Sequence, residues 1–233
     1  MGFLKRQEMK GRAKSRIGEV RGQLSYGDPD SWNDDLNEAT DETARRTWCY
    51  YVAENADLTS GTADYPLPAQ IFRIKEVIVK DAAGNIFHCS GRTRRDMDAL
   101  YGASWRENPA TGTPTYYILG GGSGTEQISF YPVPDYTTTS NTGFTVEGYA
   151  VPANSWSNET DVCPLPDRAE QVVISLAALK RACRFPNDYK EHIPILSAEV
   201  TQKMGLLEAE TLSLSEATQA TGRITRRFSG GWF

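Results

Sequence analysis

The stretch Gly120-Gly121-Gly122-Ser123-Gly124 is where backbone amides could converge on an anion. Glycines let a loop bend around phosphate oxygens, and a helix starting behind them would aim its positive end at the charge. A Walker-type loop also needs Lys-Ser or Lys-Thr after its last glycine. Here Thr125-Glu126-Gln127 follows, which brings an acid and no lysine. The next residues, from Ile128 to Pro134, read as a strand. A dinucleotide fingerprint and a nucleophile elbow both need a helix in that place. The glycines therefore predict a strand-to-strand turn.

Other chemistries fare no better. Cys49, Cys89, Cys163 and Cys183 are widely spaced with no Cys-x-x-Cys, which argues against a zinc site and a disulfide framework. They read as small buried hydrophobes in a reducing cytosol. His88 and His192 are the only histidines, without a cysteine or acid at ligand spacing. Arg92, Arg94 and Arg95 with Asp96 and Asp98 read as a solvated, charged turn, and Asp34-Asp35 as acidic charge at a helix N-terminus. The expectation is no catalytic residue, no metal, no cofactor and no enzymatic activity.

Charge and aromatic content point instead to surfaces. The net charge is −5, but residues 1–21 hold seven Lys/Arg against two acids and residues 223–233 hold three Arg and no acid, leaving −13 on the middle by subtraction. Basic ends on an acidic body suggest arms that dock on a partner. The last eleven residues mix arginine with Ile, Phe and Trp, the composition of an interface hot spot rather than of a free polar tail. The candidate partner-binding residues are Arg223, Ile224, Arg226, Arg227, Phe228, Trp232 and Phe233. Nucleic-acid contact through arginine and stacked aromatics competes with this reading. The acidic body favours a protein partner, because it repels a long polyanion.

The elements that would position these residues follow from periodicity. The apolar fraction of 39% with 24% charged residues is that of a soluble globular chain. No apolar run reaches membrane-spanning length. The start MGFLKRQEMK has no apolar stretch behind it, so no secretory signal is expected, and Arg6 departs from the myristoylation pattern. Weak helical spacing runs through Ala13, Ile17, Val20 and Leu24. A helix capped at Asp30 or Ser31 carries Trp32, Leu36, Ala39, Thr43, Thr47 and Tyr51 on one stripe, widened by Ala44, Trp48 and Val52, and ends near Asn55. Residues 65–152 then alternate as strands, with a hairpin turning at Ala83-Gly84-Asn85 and a short helical turn over Arg94–Gly102. Helical spacing returns from Asp167, through Ala169, Val172, Val173, Leu176, Ala177 and Cys183. A last helix through Leu196, Val200, Met204, Leu207, Thr211 and Leu214 ends near Ala220 or Gly222. The fold class is α+β: a helical bundle domain from residues 1–58 and 160–222, an inserted antiparallel β-domain at 59–159, and a docking tail at 223–233.

One resemblance emerges from the order of short motifs. Tyr65-Pro66-Leu67-Pro68, then Phe72-Arg73-Ile74-Lys75-Glu76-Val77, Gly112-Thr113-Pro114-Thr115-Tyr116-Tyr117-Ile118, Ile128–Pro134, Gly148-Tyr149-Ala150-Val151-Pro152 and Leu165-Pro166 occur in sequence. This order resembles the head-to-tail adaptor (connector) proteins of tailed bacteriophages, including the tail-tubular-A type. The resemblance implies a structural virion protein of the neck, made in the host cytoplasm. It implies a self-associated ring, typically twelve subunits, with the portal protein on one side and a tail tube or nozzle protein on the other. It also implies a C-terminal segment reaching the portal, and DNA passing through the channel without sequence-specific binding; no membrane is involved. An acidic body suits such a channel, because acidic walls repel phosphate. A second reading stays open: a carbohydrate- or peptide-binding β-domain on a helical stalk, with Trp105, Tyr116, Tyr117 and Tyr131 as its platform.

Overall fold

The computed structural model describes residues 4–18, 29–67, 70–122, 125–152 and 158–228, with side chains over those ranges except at 29–31, 121–122, 125–126 and 214–228. In chain order the elements are α1 (Arg6–Arg16), α2 (Pro29–Thr47), β1 (Tyr51–Ala56), β2 (Asp64–Pro66), β3 (Ile71–Lys80), β4 (Ile86–Arg92), α3 (Arg94–Tyr101), a 3-10 turn (Ala103–Arg106), β5 (Tyr116–Gly122), β6 (Thr125–Tyr131), β7 (Phe144–Ala150), α4 (Asp167–Arg184), α5 (Pro186–Tyr189) and α6 (His192–Phe228). The chain divides into two compact units, Met1–Tyr50 with Val151–Phe233, and Tyr51–Ala150. This is the α+β class that the succession of helical, alternating and again helical patterns predicts.

The helical unit is organised around α4. That helix is rich in alanine and branched aliphatics, and it is buried on nearly every side, from Ala169 to Ala182. Helices α1, α2 and α6 pack on it. They contribute Met9, Ala13 and Ile17, then Trp32, Leu36, Ala39 and Ala44, then Leu196, Val200, Met204 and Leu207. Three threonines share the buried side of α2. The hydroxyls of Thr40, Thr43 and Thr47 donate to the carbonyls four residues back at 2.7, 2.7 and 2.8 Å. Those bonds remove the cost of burying an unpaired hydroxyl.

Four local expectations are corrected here. Helix α2 starts at Pro29, so Asp30 and Ser31 lie in its first turn instead of capping it; proline suits the first helical position because its missing N–H has no intrahelical role there. The same helix stops at Thr47, well before Asn55. Trp48 takes a φ of 50°, and Tyr51 and Val52 enter β1 against Tyr149 and Gly148 of β7. Aromatic and β-branched residues tolerate either state, and the sheet pairing decides. Helix α6 continues past Gly222 to Phe228; one glycine costs a helix only about 1 kcal/mol, and no proline follows to stop it. Finally, Cys49, Cys89 and Cys163 are buried free thiols, but Cys183 is exposed near the end of α4.

The β-unit is one seven-stranded sheet in the order β1-β7-β3-β4-β5-β6-β2. It is antiparallel apart from the β4–β5 pair, which is parallel and thereby corrects the all-antiparallel expectation. Parallel neighbours need a crossover, and α3 with its 3-10 turn supplies it. The β3–β4 hairpin turns as expected at Gly84, with φ at 84°. There Asp81 Oδ1 accepts from the amides of Ala83 and Asn85 at 2.9 and 2.8 Å. The sheet curls on itself. Tyr65 of β2, at one end of the strand order, packs edge-on at 5.3 Å from Phe144 of β7, near the other end. Phe130 of β6 completes that cluster at 5.7 and 5.0 Å from Tyr65 and Phe144. Among the described residues, no helix is long and apolar enough to cross a membrane.

Candidate interaction surfaces

The glycine stretch is a hairpin arm. Gly120, Gly121 and Gly122 of β5 pair with Gln127, Glu126 and Thr125 of β6, and Ser123 and Gly124 lie outside the described residues. A strand on each side leaves no helix terminus to meet an anion. Among the described residues, no group of His, Cys, Asp and Glu is placed to hold a metal ion.

The charged stretch around α3 is a helix cap with local ties. Thr93 Oγ accepts from the Asp96 amide at 3.2 Å, and Asp96 Oδ2 accepts from the Thr93 amide at 3.0 Å, a reciprocal cap. These bonds hold the Asp96 carboxyl below its usual range. Asp98 accepts from Trp105 Nε1 at 2.8 Å and from Arg106 Nη2 at 3.0 Å, fastening the 3-10 turn to α3. Arg92 lies over the Tyr116 ring at 5.5 Å.

The supposed aromatic platform is largely interior. Tyr131 is buried with Met97 and Ile118, and Trp105 and Tyr116 pack partly buried against them. Trp105 meets Tyr131 edge-on at 5.6 Å. The Tyr117 ring covers Gly91 so closely that a Cβ there would lie 2.9 Å from it. A cavity of about 280 Å³ does open beside Trp105, Arg94 and Arg106. These rings, however, do not present a flat stacking face: Trp105, Tyr116 and Tyr131 are used in the small core with Met97 and Ile118, and Tyr117 packs over Gly91.

Sequence reasoning missed a buried charge. Its sequence position marks Asp35 as helix-terminal charge, yet it and Arg181 of α4 both have side chains 0% exposed. The signal was available, since Asp35 falls between Trp32 and Leu36 on the buried stripe. Arg181 lies between the Trp32 and Phe185 rings, 5.0 and 4.8 Å from their centroids. Arg184 Nη1 and Arg181 Nη1 stand 3.2 and 3.7 Å from Asp35 oxygens, and neither oxygen accepts a hydrogen bond. Charge-assisted bonds run at roughly 2.7–2.9 Å, so attraction at these distances under-compensates the lost hydration. Burial thus pushes the Asp35 carboxyl up to about 6, against the two arginines. The folded state then holds the proton more tightly than the unfolded chain does. The stability this gives is complete below about pH 4 and is lost as pH rises through about 6. Wild type should therefore lose stability relative to Asp35→Asn between pH 4 and 7 in urea titrations; a difference that stays flat with pH contradicts this.

A second missed pair crosses strands. His88 of β4 lies 2.5 Å from Glu76 of β3, joined through the hairpin register that sets Ile78 opposite His88. Ion pairs also tie α2 to α4, with Lys180 Nζ 2.9 Å from Glu42 and Arg184 Nη2 2.7 Å from Glu38.

The tail residues fall in two groups. Arg223, Ile224, Arg226, Arg227 and Phe228 continue the α6 backbone, with side chains beyond those described, and Trp232 and Phe233 lie outside the described residues. At 1.5 Å per residue, the 37 residues of α6 extend about 55 Å, twice the roughly 27 Å of the 18-residue α4.

A bundle wrapped around one buried helix, a β-sheet unit inserted in its sequence, and one helix twice the length of its packing partner make up the architecture. The sequence matches the SU10 adaptor protein family over residues 5–227, and the chain belongs to that family. It is a structural adaptor protein of a bacteriophage. No curated protein matches the chain.

Proposed function

We propose that this chain is a head-to-tail adaptor subunit of the virion neck, of the tail-tubular-A-like kind. Twelve copies form a ring below the portal protein, and the ring carries DNA from the capsid to a tail tube or nozzle protein without reading its sequence. The subunit performs no chemical reaction. Residues 223–233 dock on the portal, with Arg223, Arg226 and Arg227 meeting acidic groups and Ile224, Phe228, Trp232 and Phe233 filling a groove.

The observation that carries this reading is the family match, which spans both units and reaches Arg227. The continuation of α6 to Phe228 supports it, because a helix is a stiff arm with which to present a docking segment. Deleting residues 223–233 should abolish binding to portal rings, at least a hundredfold in Kd, while leaving the far-UV dichroism of the rest intact. Retained binding by the truncated chain, or rings of wild-type chain that never associate with a portal, counts against the proposal. The competing glycan-binding reading loses ground because Trp105, Tyr116 and Tyr131 are occupied with one another.

A further inference from the structure

Within the β-unit, the cavity beside α3 has walls of two kinds. Its floor is apolar: Ile118, Phe130 and Val133 are buried there, and Trp105 stands partly buried at the side. Its rim is charged, with Arg94, Arg106 and Asp64. Two of those charges are already engaged. Arg106 Nη2 lies 3.0 Å from both Asp98 oxygens, and Asp64 Oδ1 accepts from the Ser129 hydroxyl. Arg94 differs: it is exposed, and among the described residues it makes no hydrogen bond or ion pair. The acids nearest to it in sequence are taken, Asp96 by the Thr93 cap and Asp98 by Trp105 and Arg106. The Arg94 guanidinium lies along β5, where a Cβ added at Gly120 would stand 3.4 Å from its Nη2. Glycine at that position leaves the space the arginine occupies.

Size and charge indicate what fits there. A volume of about 280 Å³ lies just below the ~300–1,000 Å³ of sites that enclose small molecules, and it accommodates one or two side chains. The floor suits an apolar or aromatic group. A guanidinium carries five N–H donors in a planar fork that matches a carboxylate. On a chain of net charge −5, residues 92–107 hold four Arg against two Asp and one Glu, so the rim is locally positive. The Asp64 charge facing the same space disfavours a dense run of negative charge such as a nucleic-acid backbone, and leaves a single carboxylate as the matching anion. The wall is preset, because Asp98 holds both Trp105 and Arg106. We propose that this cavity is a docking pocket for a segment of another protein, one that sets an aromatic or branched aliphatic side chain on the floor and an adjacent Asp or Glu carboxylate on Arg94. The pocket is independent of the ring and portal assignments above.

The test is titration of the full-length chain with two blocked peptides, acetyl-Gly-Phe-Glu-Gly-amide and its Phe-Gln counterpart, followed by NMR of the tryptophan indole N–H groups. The Trp105 signal, assigned with Trp105→Phe, should shift with the Phe-Glu peptide, and that peptide should bind about tenfold more tightly than the uncharged one. Arg94→Gln should erase the preference without moving the melting temperature. Arg95→Gln, which alters a neighbour outside the lining, should keep it. Equal binding of the two peptides would make the cavity an apolar slot and overturn the proposal. So would a preference that survives Arg94→Gln, or no shift with either peptide at millimolar concentration. A lowered melting temperature for Arg94→Gln would mean that the arginine already serves the fold, and would count the same way. A short DNA duplex that moves the Trp105 signal at lower concentration than the Phe-Glu peptide would assign the arginines to phosphate and overturn it too. If the tail deletion abolishes portal binding while neither peptide binds, this pocket fails and the neck reading stands.

Discussion

Trp32→Ala should lower the stability of the helical unit by about 3–5 kcal/mol, the range for removing a large buried aromatic. Trp32 is fully buried between α2 and α4. Its ring also carries the Arg181 guanidinium at 5.0 Å and the Lys14 ammonium at 5.9 Å. The substitution thus opens a cavity and strips a buried cation of one of its two flanking rings, and cation–ring contacts contribute roughly 2 kcal/mol when desolvated. Trp32→Phe keeps a ring in place and should recover more than half of the loss. Urea denaturation followed by helical dichroism measures both. A cost below about 1 kcal/mol for the alanine variant would show that Trp32 does not anchor this core.

Gly148→Ala should be the most damaging single-methyl change within the described strands of the β-unit, costing about 3 kcal/mol. Gly148 lies in β7, the second strand of the sheet, between Val52 of β1 and Ile74 of β3. The β3–β7 register slips on both sides of that point, between Ile71 and Arg73 and between Ile74 and Glu76. These irregularities bring backbone close to backbone: a Cβ at 148 would lie 2.4 Å from the Arg73 carbonyl oxygen and 3.1 Å from Ile74 Cα. A side chain could swing aside, but a paired strand cannot without breaking its ladder. Amide exchange in β3 and β7 should quicken on the order of a hundredfold, the equivalent of that cost at 1.4 kcal/mol per decade. Unchanged exchange would mean the strands part easily there.

These two residues differ in how openly the sequence shows them. Trp32 heads a stripe with Leu36, Ala39 and Thr43, so its burial follows from helical spacing alone. Gly148 carries no such mark, since a glycine in Phe-Thr-Val-Glu-Gly-Tyr-Ala reads as a weak point in a strand; only the bulged approach of β3 makes it obligatory. Asp35 is intermediate. Its position on the stripe was visible, but its charge suggested a solvated helix start, and only the arrival of Arg181 from a helix far along the chain makes burial tolerable. The candidate docking residues follow from composition, because arginine beside Trp and Phe is informative by itself; the α6 backbone adds only that the first of them are helical.

Taken alone, the sequence determined the helix–sheet–helix succession, the core stripes of α2, α4 and α6, the hairpin at Gly84 and the turn of the glycine stretch. Each of these depends on periodicity or on a backbone conformation one residue type prefers, which are properties of neighbours in the chain. Tertiary structure decided where α2 yields to β1, the parallel joining of β4 to β5, the curl that sets Tyr65 on Phe144, and the pairing of Asp35 with Arg181 and Arg184. Those outcomes turn on contacts between residues tens to more than a hundred positions apart, where local propensity is indifferent and the burial of a distant partner sets the free energy.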